Sequence, residues 1–171
     1  MEFIIEKKDS IYSIKEDGRT IFTCDHSYDD KLLSLYLRNI YGDEALSVFQ
    51  IKKWYSTIQP GRALDFTIYE QDVKMGELHG IKGAFEFAFQ GVTYRFYSGL
   101  EDGVRIVKCF DREKCCGIME LGETCKVSFY NSTLGSLMSI LTVLLDGYIK
   151  HEHFSQDLYL SKCSEEMKEV A

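Results

Sequence analysis

Hydrophobic and polar residues alternate along most of the first 130 positions, which is the pattern of β-strands that bury one face. Phe85, Phe87 and Phe89 form one such apolar face, and the turn-forming dipeptide Gln90-Gly91 follows them directly. Similar dipeptides separate further alternating runs, so the pattern predicts consecutive β-hairpins. The runs predict roughly ten to twelve strands, at the spacing typical of a barrel or sandwich.

The pattern is compatible with more than one secondary structure in two segments. Residues 30–38 suit either a strand or two turns of helix, and residues 44–58 suit one or two strands.

The segment 133–149, TLGSLMSILTVLLDGYI, is apolar on nearly every side when drawn as a helix. A helix of this kind must be enclosed by the protein and not laid on its surface. Asn131 or Ser132 is placed to cap its first backbone N–H groups. Asp146, near the other end, requires hydrogen bonds or a basic partner, and we expect it at the mouth of the enclosure.

A membrane span is the alternative interpretation, because the 19 residues between Lys126 and Asp146 carry no charge. However, Ser and Thr recur within this window, and the apolar helix that starts at Leu134 reaches Asp146 after roughly 18 Å. A bilayer core requires about 30 Å. We therefore predict a buried core helix and no transmembrane span.

These patterns predict an all-β domain with one buried helix. Of the two architectures we expect the closed one, an antiparallel barrel of roughly 12 strands around a hydrophobic C-terminal helix at about 132–150, which is what the resemblance given next implies. We expect one barrel domain over residues 1–150, followed by a polar tail over 151–171. Because the helix fills the lumen, function is expected on the outer wall or at the rims.

This order of elements resembles the tubby C-terminal-like superfamily, which includes the phospholipid scramblases and the plant LURP-one-related proteins. The likeness is carried by the spacing from LDF (64–66) through Gly76 to FEF (85–87), and by the SLMSILTVLLDGYI helix. It covers residues 11–150 approximately and implies a twelve-stranded barrel that encloses the C-terminal helix. The compact chain looks most like single-domain microbial members.

The chain also departs from these relatives. Tubby proteins bind a phosphoinositide headgroup through a Lys-x-Arg pair on a strand, and the chain contains no Lys-x-Arg, so no headgroup residue is carried over. Scramblases have Pro-rich N-terminal extensions and palmitoylated cysteine clusters. Neither is found in this sequence, where Cys115 and Cys116 form a pair within a strand, so the resemblance implies no scrambling activity.

Charge and cysteine content narrow the function further. The net charge of −7, without a basic stripe, argues against a nucleic-acid partner. No secretory signal precedes the six cysteines, so we expect free thiols in a reducing cytoplasm. Four of them lie close together in the sequence but lack the Cys-x2–4-Cys spacing of structural zinc sites, so we expect no metal: Cys109, Cys115, Cys116 and Cys125.

Catalytic patterns are weak. Cys24 and His26 could form a nucleophile–base pair, but no third group orients them, and His79 lies close in sequence to Glu77. The sequence contains no Gly-rich phosphate loop, nucleophile elbow or HExxH motif. We therefore expect neither an enzyme nor a cofactor.

Lys52, Lys53 and Trp54 are the candidate ligand-binding residues. Two ammonium groups beside the single Trp suit contact with an anionic surface, although a solvated strand end has the same composition. We expect a non-catalytic cytoplasmic binding module that contacts an anionic lipid or a protein partner. Two alternatives stay open: an enzyme with a site at a barrel mouth around Asp146 and a nearby histidine, and a structural or interaction protein.

Overall fold

A computed structural model describes residues 1–29, 32–51, 65–81 and 84–151, in which twelve antiparallel strands close into a barrel and one helix follows them. Each strand pairs with its sequence neighbours, and β1 pairs with β12, so the predicted closed barrel is confirmed. The strands are β1 (Glu2–Lys8), β2 (Ile11–Glu16), β3 (Arg19–Asp29), β4 (Leu32–Asn39), β5 (Glu44–Gln50), β6 (Asp65–Glu70), β7 (Val73–Ile81), β8 (Ala84–Phe89), β9 (Val92–Glu101), β10 (Val104–Asp111), β11 (Lys114–Leu121) and β12 (Thr124–Phe129). A 3-10 turn (Ser132–Leu134) leads into the helix α1 (Gly135–His151).

The structure shows which of the alternatives predicted for residues 30–38 and 44–58 is correct, within the residues that it describes. The 30–38 segment contains strand β4, where Leu33, Leu35 and Leu37 are buried and the residues between them are not. This period of two is that of a half-buried strand. The described part of 44–58 forms one strand, β5. Strand β1 was not among the predicted strands, because it precedes residues 11–150, the stretch to which the resemblance applies.

Helix α1 and the inward faces of the strands form one core. Ile140 and Leu141 are fully buried in the same cluster as Ile14, Phe87 and Val127, which come from separate strands. Full burial of each large apolar side chain stabilises the fold by about 1.5–3 kcal/mol. The core therefore belongs jointly to the helix and the barrel, as predicted.

Polar groups inside the helix are satisfied locally. The Ser139 hydroxyl donates to the carbonyl of Gly135 at 2.7 Å, and the Thr142 hydroxyl donates to that of Met138 at 2.6 Å. The Asn131 side chain accepts a hydrogen bond from the backbone N–H of Thr133 at 3.0 Å and so caps the start of the helical segment.

Length and hydrophobicity together fall short of what a membrane crossing requires in every helix of the described residues.

Two glycines allow close approach inside the barrel. A Cβ on Gly76 would overlap the backbone oxygen of Ala88 on the neighbouring strand. A Cβ on Gly117 would lie 2.5 Å from the Met138 Cε atom, which is the flexible end of a helix side chain. Because backbone moves less readily than the end of a methionine, the two positions differ in tolerance.

We expect Gly76→Ala to lower the free energy of unfolding by more than about 3 kcal/mol, and Gly117→Ala by about 1–3 kcal/mol, since Met138 can rotate away. Gly122→Ala is the matched control, because its Cβ would meet only ordinary contact at 3.6 Å from the oxygen of Thr124. Urea denaturation of the three variants measures the order. Equal losses at Gly76 and Gly122 would contradict the packing described.

Candidate functional site

The predicted ligand-binding residues Lys52, Lys53 and Trp54 lie outside the described residues. The segment that contains them connects the end of β5 to the start of β6. Their role in contacting an anionic surface therefore stays a prediction. The tail beyond His151 also lies outside the described part of the chain.

The barrel has two mouths. The lower mouth, where α1 starts, is formed by the β2–β3, β4–β5, β6–β7, β8–β9 and β10–β11 turns and the end of β12. The upper mouth, where α1 ends, carries the β1–β2, β9–β10 and β11–β12 turns. Core side chains fill the lumen between the mouths, so a ligand site in the described residues must lie at a mouth or on the outer wall.

Asp146 lies near the upper mouth and is only 1% exposed. The Tyr12 hydroxyl donates to its Oδ2 atom at 3.2 Å. The His26 ring meets the Tyr12 ring edge-on with centroids 6.4 Å apart, and the Lys7 ammonium lies 5.4 Å from the centre of the same ring. Burial, and then the neighbouring Asp146 carboxylate, raises the pKa of Tyr12 above its ordinary value.

The cavity beside this group is too small for a substrate. It measures about 10 Å³ and is lined by Tyr12, His26, Val143 and Gly147, among others. That volume is the room of one water molecule. The structure thus brings Asp146 and a histidine to one mouth, on either side of Tyr12, but the cavity that the described residues form beside them holds no more than a water molecule.

Cys24 and His26 face the same side of β3 but do not form an activated pair. Cys24 is fully buried, and burial raises the pKa of its thiol to about 12. A thiol with this pKa stays protonated near neutral pH and is a poor nucleophile.

His79 lies on the outer wall between two carboxylates. Its Nδ1 is 2.5 Å from Asp65 Oδ1, and its Nε2 is 3.1 Å from Glu77 Oε2. Lys74 also contacts Glu77 at 2.5 Å, and this contact lowers the pKa of the Glu77 carboxyl. Both ring nitrogens of His79 therefore contact a carboxylate oxygen. We interpret these contacts as ion pairs and hydrogen bonds that hold the β6–β7 hairpin together. Proximity in sequence indicated Glu77, whereas Asp65 could be found only from the strand register that places it opposite His79.

Ion pairs between neighbouring strands recur around the outer wall. Most join a basic side chain to a carboxylate on the adjacent strand: Lys126 with Glu2, Lys15 with Glu6, Arg38 with Asp25, Arg95 with Glu86, and Lys108 with Glu101. Exposed pairs of this kind contribute little to stability. Their consequence is electrostatic, because each paired ammonium or guanidinium is less available to an anionic ligand.

The described residues contain no group of three His, Cys, Asp or Glu side chains that could hold a metal ion.

The lower mouth contains a larger pocket, of about 230 Å³, between the start of α1 and the rim of β5–β9. Six of its lining residues carry polar side chains: Glu70, Gln90, Tyr94, Asn131, Thr133 and Ser136. Leucine, isoleucine, methionine and phenylalanine side chains line the remainder. This pocket has room for a side-chain-sized group and offers it one carboxylate and several hydrogen-bonding partners.

The rim around the pocket combines exposed apolar side chains with an excess of acid. Tyr41 is 83% exposed and Tyr130 is 81% exposed, and Ile40 and Val73 also project into solvent. Carboxylates outnumber basic side chains at the hairpin ends of this mouth. The acids are Glu16, Asp17, Asp43, Glu44, Glu70, Asp72, Asp111 and Glu113, against Arg19, Arg112 and Lys114. The lower mouth therefore favours a cationic ligand over an anionic one.

We expect Tyr12→Phe to lower the free energy of unfolding by about 1–3 kcal/mol at pH 7, because the buried Asp146 carboxylate loses a hydrogen-bond donor. The raised pKa of Tyr12 stabilises the fold fully below pH 10, the ordinary tyrosine value, and this contribution is lost as pH rises above it. The variant should therefore lose stability less steeply above pH 10. Urea titrations over this range measure both effects, with the exposed Tyr41→Phe as control. A variant as steep as the wild type would contradict the assignment.

No protein-family model matches the chain, and no curated protein is significantly similar to it. Among solved structures, the chain is similar to a protein from Arabidopsis thaliana, AT5G01750. The TM-score is 0.58 and the sequence identity 11%, over 85% of this chain and 89% of that chain. At this level of identity, the likeness shows that the two chains share a fold.

Proposed function

We propose that this chain is a non-catalytic binding module that engages a basic side chain of a protein partner at the lower mouth of the barrel. The observation that carries the proposal is the 230 Å³ pocket beside the start of α1, in a barrel whose lumen is otherwise filled. Pockets of this kind anchor a partner when a side chain enters them and the surrounding rim excludes water.

The non-catalytic part of the proposal rests on the titratable groups. Asp146 is enclosed beside a cavity of about 10 Å³, and His79 has a carboxylate at each ring nitrogen. The buried Cys24 thiol is held protonated by its raised pKa. General acid–base or nucleophilic catalysis requires a group that is open to the substrate, and within the described residues these three groups are enclosed or held by the contacts just given.

The choice of a basic partner follows from charge. Glu70 lines the pocket, and carboxylates dominate the rim, so a guanidinium or ammonium group gains favourable electrostatic energy there. Tyr41 supplies an exposed aromatic ring at the same mouth, which is the type of residue that most often anchors interfaces. An anionic lipid headgroup would be repelled at this rim.

We also propose membership of the tubby C-terminal-like superfamily, on the LURP-one-related side. A twelve-stranded barrel around a C-terminal helix supports this assignment, as does the shared fold with the plant protein. We place the protein in the cytoplasm, because the five cysteines in the described residues are free thiols.

The pocket is tested with N-acetyl-arginine N-methylamide as the probe and its neutral citrulline analogue as the control ligand. We expect the arginine compound to shift the amide resonances of Gln90 and Ser136 in a saturable manner, and the citrulline compound to leave them unchanged. Glu70→Gln should weaken binding by about fivefold, the equivalent of one exposed ion pair. Glu86→Gln, which removes an outer-wall carboxylate paired with Arg95, should have no effect. Equal shifts from both ligands, or shifts confined to the wall, would overturn the proposal.

Lipid vesicles test the predicted anionic contact separately. Phosphatidylcholine vesicles with about 5 mol% phosphatidylinositol bisphosphate provide the anionic surface. The assay is carried out in low salt, where the attraction between charges is strongest. If Lys52, Lys53 and Trp54 form this contact, the wild type will float with the vesicles and Lys52→Glu/Lys53→Glu will not. Lys7→Glu/Lys8→Glu is the matched control at the upper mouth. Vesicle binding without any arginine-induced shift would replace the protein partner by a lipid.

A further inference from the structure

The β10–β11 hairpin carries two thiols that the proposed binding function does not use. Cys109 pairs with Gly117 and Phe110 pairs with Cys115, so Cys116 is the extra residue of a β-bulge. A bulge turns a side chain away from the direction that regular alternation would give it. Here the Sγ atoms of Cys116 and Cys109 lie 3.4 Å apart.

We propose that Cys109 and Cys116 form an oxidation site, in which a hydroperoxide converts the two thiols into an intrachain disulfide between β10 and β11.

The geometry places the two sulfur atoms ready to join. A disulfide bond is about 2.05 Å long, so the sulfur atoms must approach each other by about 1.4 Å, which side-chain rotation can supply. Backbone pairing continues on both sides of the bulge, from Arg105–Leu121 to Asp111–Lys114. The strands therefore hold the pair together without any rearrangement of the barrel.

The two thiols differ in exposure. Cys109 is 1% exposed, whereas Cys116 is half-buried and within reach of a small oxidant. The hydrogen bond with Cys109 lowers the pKa of Cys116, and the same contact, together with burial, raises the pKa of Cys109. Because Cys116 is the more exposed of the two, it is the sulfur that a hydroperoxide reaches first, and Cys109 is the thiol that resolves the intermediate.

The reaction needs only the hydroperoxide as oxidant. The Cys116 thiolate attacks the terminal peroxide oxygen, an S–O bond forms, the O–O bond breaks, and the departing oxygen leaves as water or alcohol after protonation. Cys116 is then a sulfenic acid. The Cys109 sulfur attacks the Cys116 sulfur, an S–S bond forms, the S–O bond breaks, and the hydroxyl leaves as water with the Cys109 proton. Two thiols lose two electrons, and the peroxide gains them.

Cys115 is the matched control, because it neighbours Cys116 and is also half-buried. It pairs with Phe110, and its thiol donates to the carbonyl of Gly117 at 3.5 Å. Burial raises the pKa of the Cys115 thiol. If solvent exposure alone determined which thiol is oxidised, Cys115 and Cys116 would be oxidised alike. The proposed site instead predicts that Cys116 is oxidised and Cys115 is not.

The test is peptide mapping after exposure of the folded protein to hydrogen peroxide, with alkylation of the remaining thiols. Trypsin cleaves after Lys108, Arg112 and Lys114, which separates peptide 109–112 from peptide 115–126. We expect these two peptides to be joined with a loss of two hydrogens. The link should persist in Cys115→Ser and disappear in Cys116→Ser, and a dithiol reductant should reverse it. Fragment spectra distinguish Cys116 from Cys125.

Two outcomes would overturn the proposal: a linked peptide that persists in Cys116→Ser, or no linked peptide in folded Cys115→Ser. Circular dichroism confirms that each variant is folded. A measurement on the wild type is independent of folding defects in variants. At pH 7 iodoacetamide should alkylate Cys116 about tenfold faster than Cys115. Equal rates would also contradict the proposed site.

Discussion

Mutual enclosure of the helix and the barrel is the constraint on which this structure depends. Helix α1 is apolar on nearly every side, and no single neighbouring element could cover all of it. A closed twelve-stranded barrel, in turn, would be hollow without something to fill it. Ile140 and Leu141 complete a core whose other half comes from inward strand residues such as Ile14 and Val127. Neither part has a core of its own.

This enclosure also decides where chemistry can take place. Lipocalin-like barrels bind ligands in the lumen, but here the lumen is occupied by the chain itself. In the described residues, the cavity beside Asp146 and Tyr12 at the upper mouth measures about 10 Å³, whereas the pocket at the lower mouth measures about 230 Å³. The outer wall is braced by ion pairs between strands. Among the described residues, the lower mouth combines a pocket, exposed aromatic rings and an excess of carboxylates.

Periodicity predicted the strands and the enclosed helix but left a barrel or a sandwich open, and the resemblance favoured the closed barrel that the structure shows. Alternation at Phe85, Phe87 and Phe89 gave strands, and the all-round apolar 133–149 segment required enclosure. Strand β1 was harder, because the consecutive apolar residues Phe3, Ile4 and Ile5 obscure its alternation and its partner β12 lies at the other end of the barrel sequence. The approach of Asp65 to His79 depends on hairpin register, and that of Cys116 to Cys109 on a one-residue bulge. Neither contact can be predicted from alternation. Alternation does not say which residues of two strands lie opposite each other, and a bulge changes the side to which a side chain points without changing the composition.

The pairing of β1 with β12 has a consequence for how the protein is made. The amino group of Met1 donates to the carbonyl of Phe129 at 2.8 Å, so β1 pairs with a strand whose last residue is synthesised 128 positions later. Until then one edge of β1 is unpaired, and the sheet cannot close into a barrel. The helix is synthesised after all twelve strands, so the shared core cannot be completed until the strands are all present. Hairpin contacts form early and locally, but this final step joins distant parts of the chain, which makes it slow. During that interval the incomplete protein exposes an unpaired strand edge and an apolar helix, and both features make folding intermediates prone to aggregation.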